Sequence, residues 1–108
     1  MYPYGYNRPM NTLLTTEQFD TWLRKLKDAT AKFRIIARIR MAGLGNFGDC
    51  APVGEGVSEM RIHVGAGYRV YFIQEGERIY LILGGGDKST QKRDIAAVKD
   101  LARHRREE

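Results

Sequence analysis

Two neighbouring segments of alternating polarity, Val57–Val64 and Tyr68–Gln74, constrain the fold more than any other feature of this chain. The side chains of a β-strand point alternately to its two faces, so a period of two residues predicts a strand. Gly65–Gly67 can turn the chain between the segments, which predicts an antiparallel hairpin. On the first segment, Val57, Glu59, Arg61 and His63 share one side. On the second, Arg69, Tyr71 and Ile73 share one side.

Two helices are predicted before the hairpin. Thr15 and Gln18 fit a capping box at the start of the first helix. Asp28 can cap the second helix, and Gly43 with Gly45 can end it. The apolar face expected for the first helix consists of Phe19, Trp22, Leu23 and Leu26. The face expected for the second consists of Phe33, Ile36 and Ala37, supported by Ile35, Ile39 and Leu44, with Arg34, Arg38 and Arg40 on the polar side.

The remaining segments complete an α+β domain of order β-α-α-β-β-β-α, with its helices packed on one sheet. Asn11–Thr15 is β-prone and predicts an N-terminal strand, whereas glycine-rich Gly45–Gly56 predicts a loop. Arg78–Leu83 is nearly all apolar, which predicts a central strand buried on both faces. A glycine run follows, and then a last helix capped by Ser89 or Thr90. The charged C-terminal end of that helix is expected to fray.

Composition narrows the class of protein. The chain has 108 residues, enough for one domain, and 18 basic against 13 acidic residues give a net charge of +5. This balance favours an anionic or acidic partner. One cysteine, Cys50, excludes an internal disulfide, and two histidines argue against a structural zinc site. Without a membrane span or a signal-peptide pattern, we expect a cytoplasmic protein. We expect residues 1–9 to be a disordered tail.

The segment GGGDKST, Gly84–Thr90, invites comparison with a phosphate-binding loop. That motif has a glycine directly before its lysine, where this chain has Asp87, and a leading glycine where it has Ile82. A nucleotide triphosphatase is therefore not predicted. Two interpretations stay open: a glycine-rich exit from a strand, or a loop that brings Lys88 to an anion near a helix start.

Basic residues on the predicted strands are better candidates for a functional site. Arg61, Arg69 and Lys88 lie at a strand middle, a strand start and a strand exit, so a curved sheet could bring them together. The donor fork of arginine suits phosphate oxygens. Tyr68 and Tyr71 could stack on bases or bind a phosphate. Together these residues predict a surface for an anionic partner, with RNA the leading candidate.

At this point the sequence resembles a known family. EMRIHVGAGYRVYF and LILGGGDKSTQKRDIAAVKDLA resemble the RelE/ParE superfamily of type II toxin–antitoxin toxins, in its HigB-like, phage Gp49-like branch of addiction module killer proteins. The segments QFDTWLRKLKD, AKFRIIARIRMAGLGNFGD and PVGEGVSE also fit. The resemblance extends over about Asn11–Ala102. It implies a RelE-like fold in residues 10–108, with an N-terminal strand and a helical hairpin on a curved antiparallel sheet and a C-terminal helix.

The resemblance also implies a function. Many members are mRNA interferases: metal-free, cofactor-free endoribonucleases that bind and cut mRNA at the ribosome, inhibit translation and cause growth arrest. Their partner is a cognate antitoxin, through which alone they contact operator DNA. ParE relatives instead poison DNA gyrase and are not nucleases, which gives a first alternative. A degenerate toxin that retains only antitoxin binding is the second.

The resemblance assigns catalytic roles to Arg69 in the GYR block, to Arg61 on the preceding strand and to Lys88 after the last strand. The C-terminal tyrosine of some RelE members falls near Asp94 and is absent here. His63 is then the candidate for proton transfer, because imidazole changes charge near neutral pH, and Asp94 is a further candidate. The residues expected to bind substrate are Tyr68, Tyr71, Gln91 and Asp94.

Overall fold

A computed structural model describes residues 10–107 of the chain, so the predicted tail at residues 1–9 lies outside the described residues. The order β-α-α-β-β-β-β-α confirms the α+β class and adds one strand to the predicted order. Within residues 10–107, no helix has the length and apolar character needed to cross a membrane. The elements are β1 (Thr12–Thr15), α1 (Glu17–Lys25), α2 (Ala29–Gly43), β2 (Cys50–Gly54), β3 (Val57–Ile62), β4 (Tyr68–Gly76), β5 (Ile79–Asp87), a 3-10 turn (Lys88–Thr90) and α3 (Gln91–Glu107).

The strands form one mixed sheet in the order β1-β5-β4-β3-β2. Strands β2 to β5 pair antiparallel, whereas β1 runs parallel to β5, with Leu14 opposite Leu81. The expectation of a wholly antiparallel sheet is therefore wrong at this edge. Parallel pairing requires a long connection, which the elements between β1 and β5 supply. The predicted central strand is confirmed, because β5 is bonded on both sides and its Ile82 and Leu83 are each 1% exposed.

Strand β2 forms where the sequence predicted only loop. It pairs with β3, placing Cys50 opposite Met60 and Pro52 opposite Ser58, and its register shifts before Gly54. Proline cannot donate a hydrogen bond to a neighbouring strand, but an edge strand needs partners on one side only. The glycine and proline content of this segment is therefore compatible with a strand at the sheet edge.

The helices cover both faces of the sheet. Helices α1 and α2 share one core with Met60 and Val70, while α3 shares the other with Val57 and Tyr71. The alternation predicted for β3 and β4 is confirmed, since successive residues of these strands enter different cores. Phe19 of α1 is buried as predicted.

Helix α2 turns a different side to the core from the one that the sequence predicted. Ala31, Ile35 and Ala42 are fully buried, whereas Phe33 is 72% exposed. Arg38, expected on the polar side, donates to backbone carbonyl oxygens of β3 and of the loop after α2. The helix carries apolar residues on two opposite sides, so periodicity alone could not tell which side packs on the sheet.

Helix ends follow the predicted chemistry with shifts of a few residues. Thr16, one residue after the predicted cap, accepts a hydrogen bond from the Phe19 amide at 3.1 Å. Asp28 caps α2 as predicted. Asp87, rather than one of the hydroxyl residues that follow it, caps the turn into α3. Helix α3 extends to Glu107.

Ion pairs connect the C-terminal end of α3, which the sequence predicts to fray, to other parts of the fold. Arg103 donates to both carboxylate oxygens of Glu55, at 2.7 and 2.8 Å. Arg105 likewise binds Glu75 through Nε at 2.7 Å and Nη2 at 3.0 Å. The charge of this segment therefore fastens the helix to the strand ends beneath it.

Candidate functional site

Arg61 of β3 and Arg69 of β4 are cross-strand partners on the face of the sheet that α3 covers. Like charges opposite each other destabilise a sheet unless something compensates them. The carboxylate of Glu59, which lies on the same face and is 2% exposed, compensates the two positive charges. Its Oε2 accepts from Arg61 Nε at 3.0 Å, and its Oε1 lies 3.6 Å from Arg69 Nε. One buried carboxylate thus holds two guanidinium groups together.

The same carboxylate ties the C-terminal helix to the strands. Gln91, the first residue of α3, donates from Nε2 to Glu59 Oε1 at 2.6 Å. Gln91 was predicted to bind substrate, but its amide faces this buried carboxylate. Sequence reasoning did not single out Glu59, although the alternation of β3 places it on the same face as Arg61.

The guanidinium of Arg69 is only partly hydrogen-bonded by the described residues. The residue is 9% exposed, and Nη1 makes only long contacts of 3.5 and 3.4 Å with the carbonyl oxygens of Gly67 and Tyr68. Its Nε is buried and donates no hydrogen bond to any residue in the described range. Buried donors normally find an acceptor. Glu59 Oε1, at 3.6 Å, pairs with the charge of Nε but is too far away to accept a hydrogen bond from it.

Lys88 approaches Arg69 across Gly67. A Cβ atom placed on Gly67 would lie 3.5 Å from Lys88 Cβ and 3.9 Å from Arg69 Nη1. Asp87 is the register partner of Tyr68, so Lys88 leaves β5 beside the start of β4. The structure therefore brings the three predicted cations, Arg61 included, to one end of neighbouring strands.

His63 lies at the exposed edge just past β3 and is held by Asp49. Its Nε2 is 2.6 Å from Asp49 Oδ2, and Arg61 Nη1 is 3.3 Å from Asp49 Oδ1. The hydrogen bond to His63, assisted by the charge of Arg61, holds the pKa of Asp49 below its ordinary value. An Nε2–H donated to Asp49 leaves Nδ1 as the nitrogen that can exchange a proton. Asp49 was missed because it lies in the glycine-rich segment predicted to be loop.

The two candidate tyrosines lie on opposite faces. Tyr71 is fully buried beneath α3, and its hydroxyl has no hydrogen-bond partner among residues 10–107. Burial, and then the nearby charges of Glu59 and Asp94, raise the pKa of Tyr71. Tyr68 packs against Trp22 in the α1 core, with ring centroids 6.3 Å apart. In this conformation neither ring is open to stack on a base.

The glycine run is part of β5 and not a loop, so the strand continues past its predicted end. Gly84–Gly86 pairs with the β4 segment that carries Arg69. A Cβ on Gly85 would overlap the Trp22 ring, and one on Gly86 would overlap the Asp94 carboxylate. These glycines therefore let α1 and α3 approach the strand from its two sides.

Asp94, a candidate for proton transfer and substrate binding, has a local partner. Its Oδ2 accepts from Thr90 Oγ1 at 2.6 Å. This contact joins the first turn of α3 to the 3-10 turn that carries Lys88. Within residues 10–107, no three His, Cys, Asp or Glu side chains are grouped so that they could hold a metal ion.

Comparison with known proteins relates the chain to a bacterial protein. No family model matches the chain. A Haemophilus influenzae protein named "Uncharacterized protein" is 50% identical over 88 residues, which are 82% of this chain and 89% of that protein. Identity of this extent over nearly all of both chains is shared by members of one family. The chain therefore belongs to the same protein family as this H. influenzae protein.

Proposed function

We propose that this protein is the toxin of a type II toxin–antitoxin module, of RelE/ParE type, and that it cleaves mRNA at the ribosome without a metal ion. The observation that carries the proposal is the cross-strand pair of Arg61 and Arg69 around the buried carboxylate of Glu59, with Lys88 beside Arg69. The strand and two helices that precede an antiparallel β2–β5 meander are compatible with the fold that the sequence resemblance implies.

In the proposed reaction, a ribose 2′-oxygen attacks the adjacent phosphorus and the bond from phosphorus to the 5′-oxygen breaks. The products are a 2′,3′-cyclic phosphate and a free 5′-hydroxyl, whose oxygen takes its proton from solvent water as it leaves. Negative charge develops on the phosphate oxygens as the 2′-oxygen attacks. Arg69 and Lys88, which approach each other across Gly67, would stabilise that charge, while Arg61 holds the RNA backbone.

His63 is the proposed base for the 2′-hydroxyl. Its Nδ1 would take the proton while Asp49 holds the ring through Nε2. A base oriented by a neighbouring carboxylate is a recurrent catalytic arrangement. Glu59 is a positioning residue in this scheme, because it holds Arg61 and Arg69 and is itself buried.

The same geometry narrows the set of residues proposed to touch RNA. The exposed members are Lys88 and His63, whereas Arg61 is half-buried between the strands and Arg69 is the most buried, at 9% exposed. Gln91 and Asp94 face protein partners and would support the site from α3. Tyr68 and Tyr71 contribute to the two cores.

Primer extension on cellular mRNA after induced expression tests the proposal directly. Discrete cuts within reading frames are expected in cells that make the protein and absent from cells with the empty vector. Intact mRNA together with DNA damage would contradict the nuclease and identify a gyrase poison. Intact mRNA with normal growth would identify a degenerate toxin.

A further inference from the structure

The outward side of α2 carries an apolar stripe that no described residue covers. Phe33 is 72% exposed, Met41 42% and Leu44 50%. Ile36 and Ala37 are partly exposed between them. These positions recur every three or four residues, so the stripe follows one side of the helix for about three turns, roughly 17 Å. A continuous exposed apolar area of this kind marks an interaction surface.

A groove of about 350 Å³ opens at the N-terminal end of the stripe. It lies where the segment between α1 and α2 meets the first turns of α2, so a side chain of a partner could enter it. Four of its lining residues are apolar and two are lysines. The lining residues are Leu26, Lys27, Ala29, Lys32, Phe33 and Ile36.

The charge around the stripe is of one sign. Helix α2 contains no acidic residue, and Lys32 and Arg34 stand on either side of Phe33, with Arg40 further along the stripe. Two copies of this chain packed stripe against stripe would oppose these cations and repel. Charge complementarity therefore calls for an acidic partner.

The form of the stripe favours a protein helix over RNA. RNA would pair with the basic residues but would leave Phe33, Met41 and Leu44 against polar groups. An amphipathic helix that lies along α2 could cover the whole apolar length and carry carboxylates on both flanks.

We infer that the outward side of α2 is the docking surface for an acidic amphipathic helix of a protein partner. Apolar residues of that helix cover Phe33–Leu44, and its carboxylates pair with Lys32, Arg34 and Arg40. The surface lies across the sheet from Arg69, so it is separate from the candidate RNA site. The identification of this partner as an antitoxin rests on the proposed function; the surface itself does not.

Photo-crosslinking in the native cell tests the inference. The full chain carries p-benzoylphenylalanine at position 33 or, as a control, at position 79, because Ile79 is also an exposed apolar residue (42%) but lies on β5. Position 33 is expected to crosslink to one protein, within an acidic amphipathic segment, and position 79 is not. A synthetic peptide of that segment should bind the purified protein. Phe33→Ser should weaken this binding at least about tenfold and Ile79→Ser should not.

Several results would overturn the inference: crosslinks from position 33 to RNA, to lipid or to a second copy, no crosslink at all, or a peptide affinity unchanged by Phe33→Ser. None of these results tests the proposed nuclease activity, which stands or falls on the mRNA cleavage assay. Phe33→Ser should leave mRNA cleavage unchanged if both proposals hold. A specific crosslink without mRNA cuts would contradict the nuclease alone, and mRNA cuts without the crosslink would contradict the docking surface alone.

Discussion

At the level of single residues, the energetics of the candidate site centre on Glu59. Its carboxylate is out of water and bonded to Arg61 and Gln91, with Arg69 Nε at 3.6 Å. A charge in such a place is tolerated only while its partners remain. Arg69 depends on Glu59 in turn. Without the Glu59 carboxylate, its guanidinium would have no carboxylate partner among the described residues.

Removal of the buried carboxylate is therefore expected to destabilise the fold. Glu59→Ala should lower the free energy of unfolding by about 3–5 kcal/mol, since it leaves a buried guanidinium uncompensated. Urea denaturation measures the difference. Glu77→Ala, at an exposed acidic residue in the turn before β5, is the control and should stay within about 0.5 kcal/mol of the unchanged protein. A Glu59→Ala protein as stable as this control would contradict the assignment.

Arg69 is expected to be needed for cleavage and not for folding. Arg69→Ala removes the charge but leaves Glu59 bonded to Arg61 and Gln91. Loss of one preorganised donor should lower the rate of mRNA cleavage about a hundredfold to a thousandfold. Cleavage assays with the purified protein give the rate, and circular dichroism checks the fold. Arg78→Ala, at an exposed arginine, should cleave normally; a folded, fully active Arg69→Ala would refute the role.

The contact between His63 and Asp49 makes a prediction about titration. His63→Ala removes the largest cause of the low pKa of Asp49, so that pKa should rise toward its ordinary value, with Arg61 still holding part of the shift. NMR titration of the Asp49 carboxyl measures the midpoint. A lowered pKa stabilises the fold above the unfolded-state pKa, and the benefit is lost as the pH falls through the folded-state pKa. The variant should therefore lose less stability on acidification. An unchanged midpoint would rule the contact out in solution.

At the level of elements, β5 determines how closely α1 and α3 approach the sheet. Trp22 lies against Gly85 from one side, and Asp94 lies against Gly86 from the other. The glycines therefore have a packing role in a central strand, where glycine otherwise weakens pairing. The position of Gln91 over Glu59 depends on this close approach.

A side chain at Gly85, in the glycine run Gly84–Gly86, should force α1 away from the sheet. Gly85→Ala places a methyl group in the Trp22 ring and should cost about 1–3 kcal/mol of stability. Gly43→Ala is the matched control, because its Cβ would lie 3.7 Å from Leu13 Cδ2, an ordinary contact, at a helical position. It should be neutral or stabilise by up to about 1 kcal/mol. Thermal unfolding compares the two, and equal melting temperatures would contradict the packing role.

Elements with a local signal were predictable from the sequence. The alternation around Gly65–Gly67 predicted the β3–β4 hairpin. The pairing of Arg61 with Arg69 within it depends on the register of the strands, which the sequence analysis did not specify. Strand β2 was missed because its own composition is typical of a loop. It becomes a strand through its pairing with β3, which its local sequence does not indicate. The buried side of α2 was missed because apolar residues lie on two sides of that helix.

Of the candidate site, the sequence indicated the cations and His63 but not the carboxylates that hold them. Arg61, Arg69 and Lys88 could be found because each is a basic residue on a recognisable strand or strand exit. The roles of Glu59 and Asp49 could not be predicted. The partners of Glu59 depend on its burial beneath α3, and those of Asp49 depend on the path of the loop between α2 and β2. The covering of Tyr71 by α3 is likewise a property of the packed helix and not of the residues around the tyrosine.

At the level of the whole molecule, two surfaces of different chemistry lie on opposite sides of the sheet. The site at Arg69 lies on the face that α3 covers, and the apolar stripe of α2 lies beyond the other face. The net charge of +5 would favour both proposed partners, since a basic molecule attracts RNA and an acidic helix alike. Substitutions on one surface should therefore leave binding at the other unchanged, apart from the long-range effect of charge.

The salt dependence of RNA binding tests whether the cations of the site contact phosphates. With Arg61, Arg69 and Lys88 each on one phosphate, the logarithm of the binding constant should fall with the logarithm of KCl concentration at a slope of about −2. A 2′-O-methylated single strand serves as the probe, since it cannot supply the attacking hydroxyl. Lys88→Ala should reduce the magnitude of the slope by about 0.7, because one phosphate contact is lost. Lys25→Ala, an exposed lysine at the end of α1, should leave it unchanged. Equal effects of the two substitutions would mean that RNA is held by the general charge of the molecule, and the site at Arg69 would then not be where RNA binds.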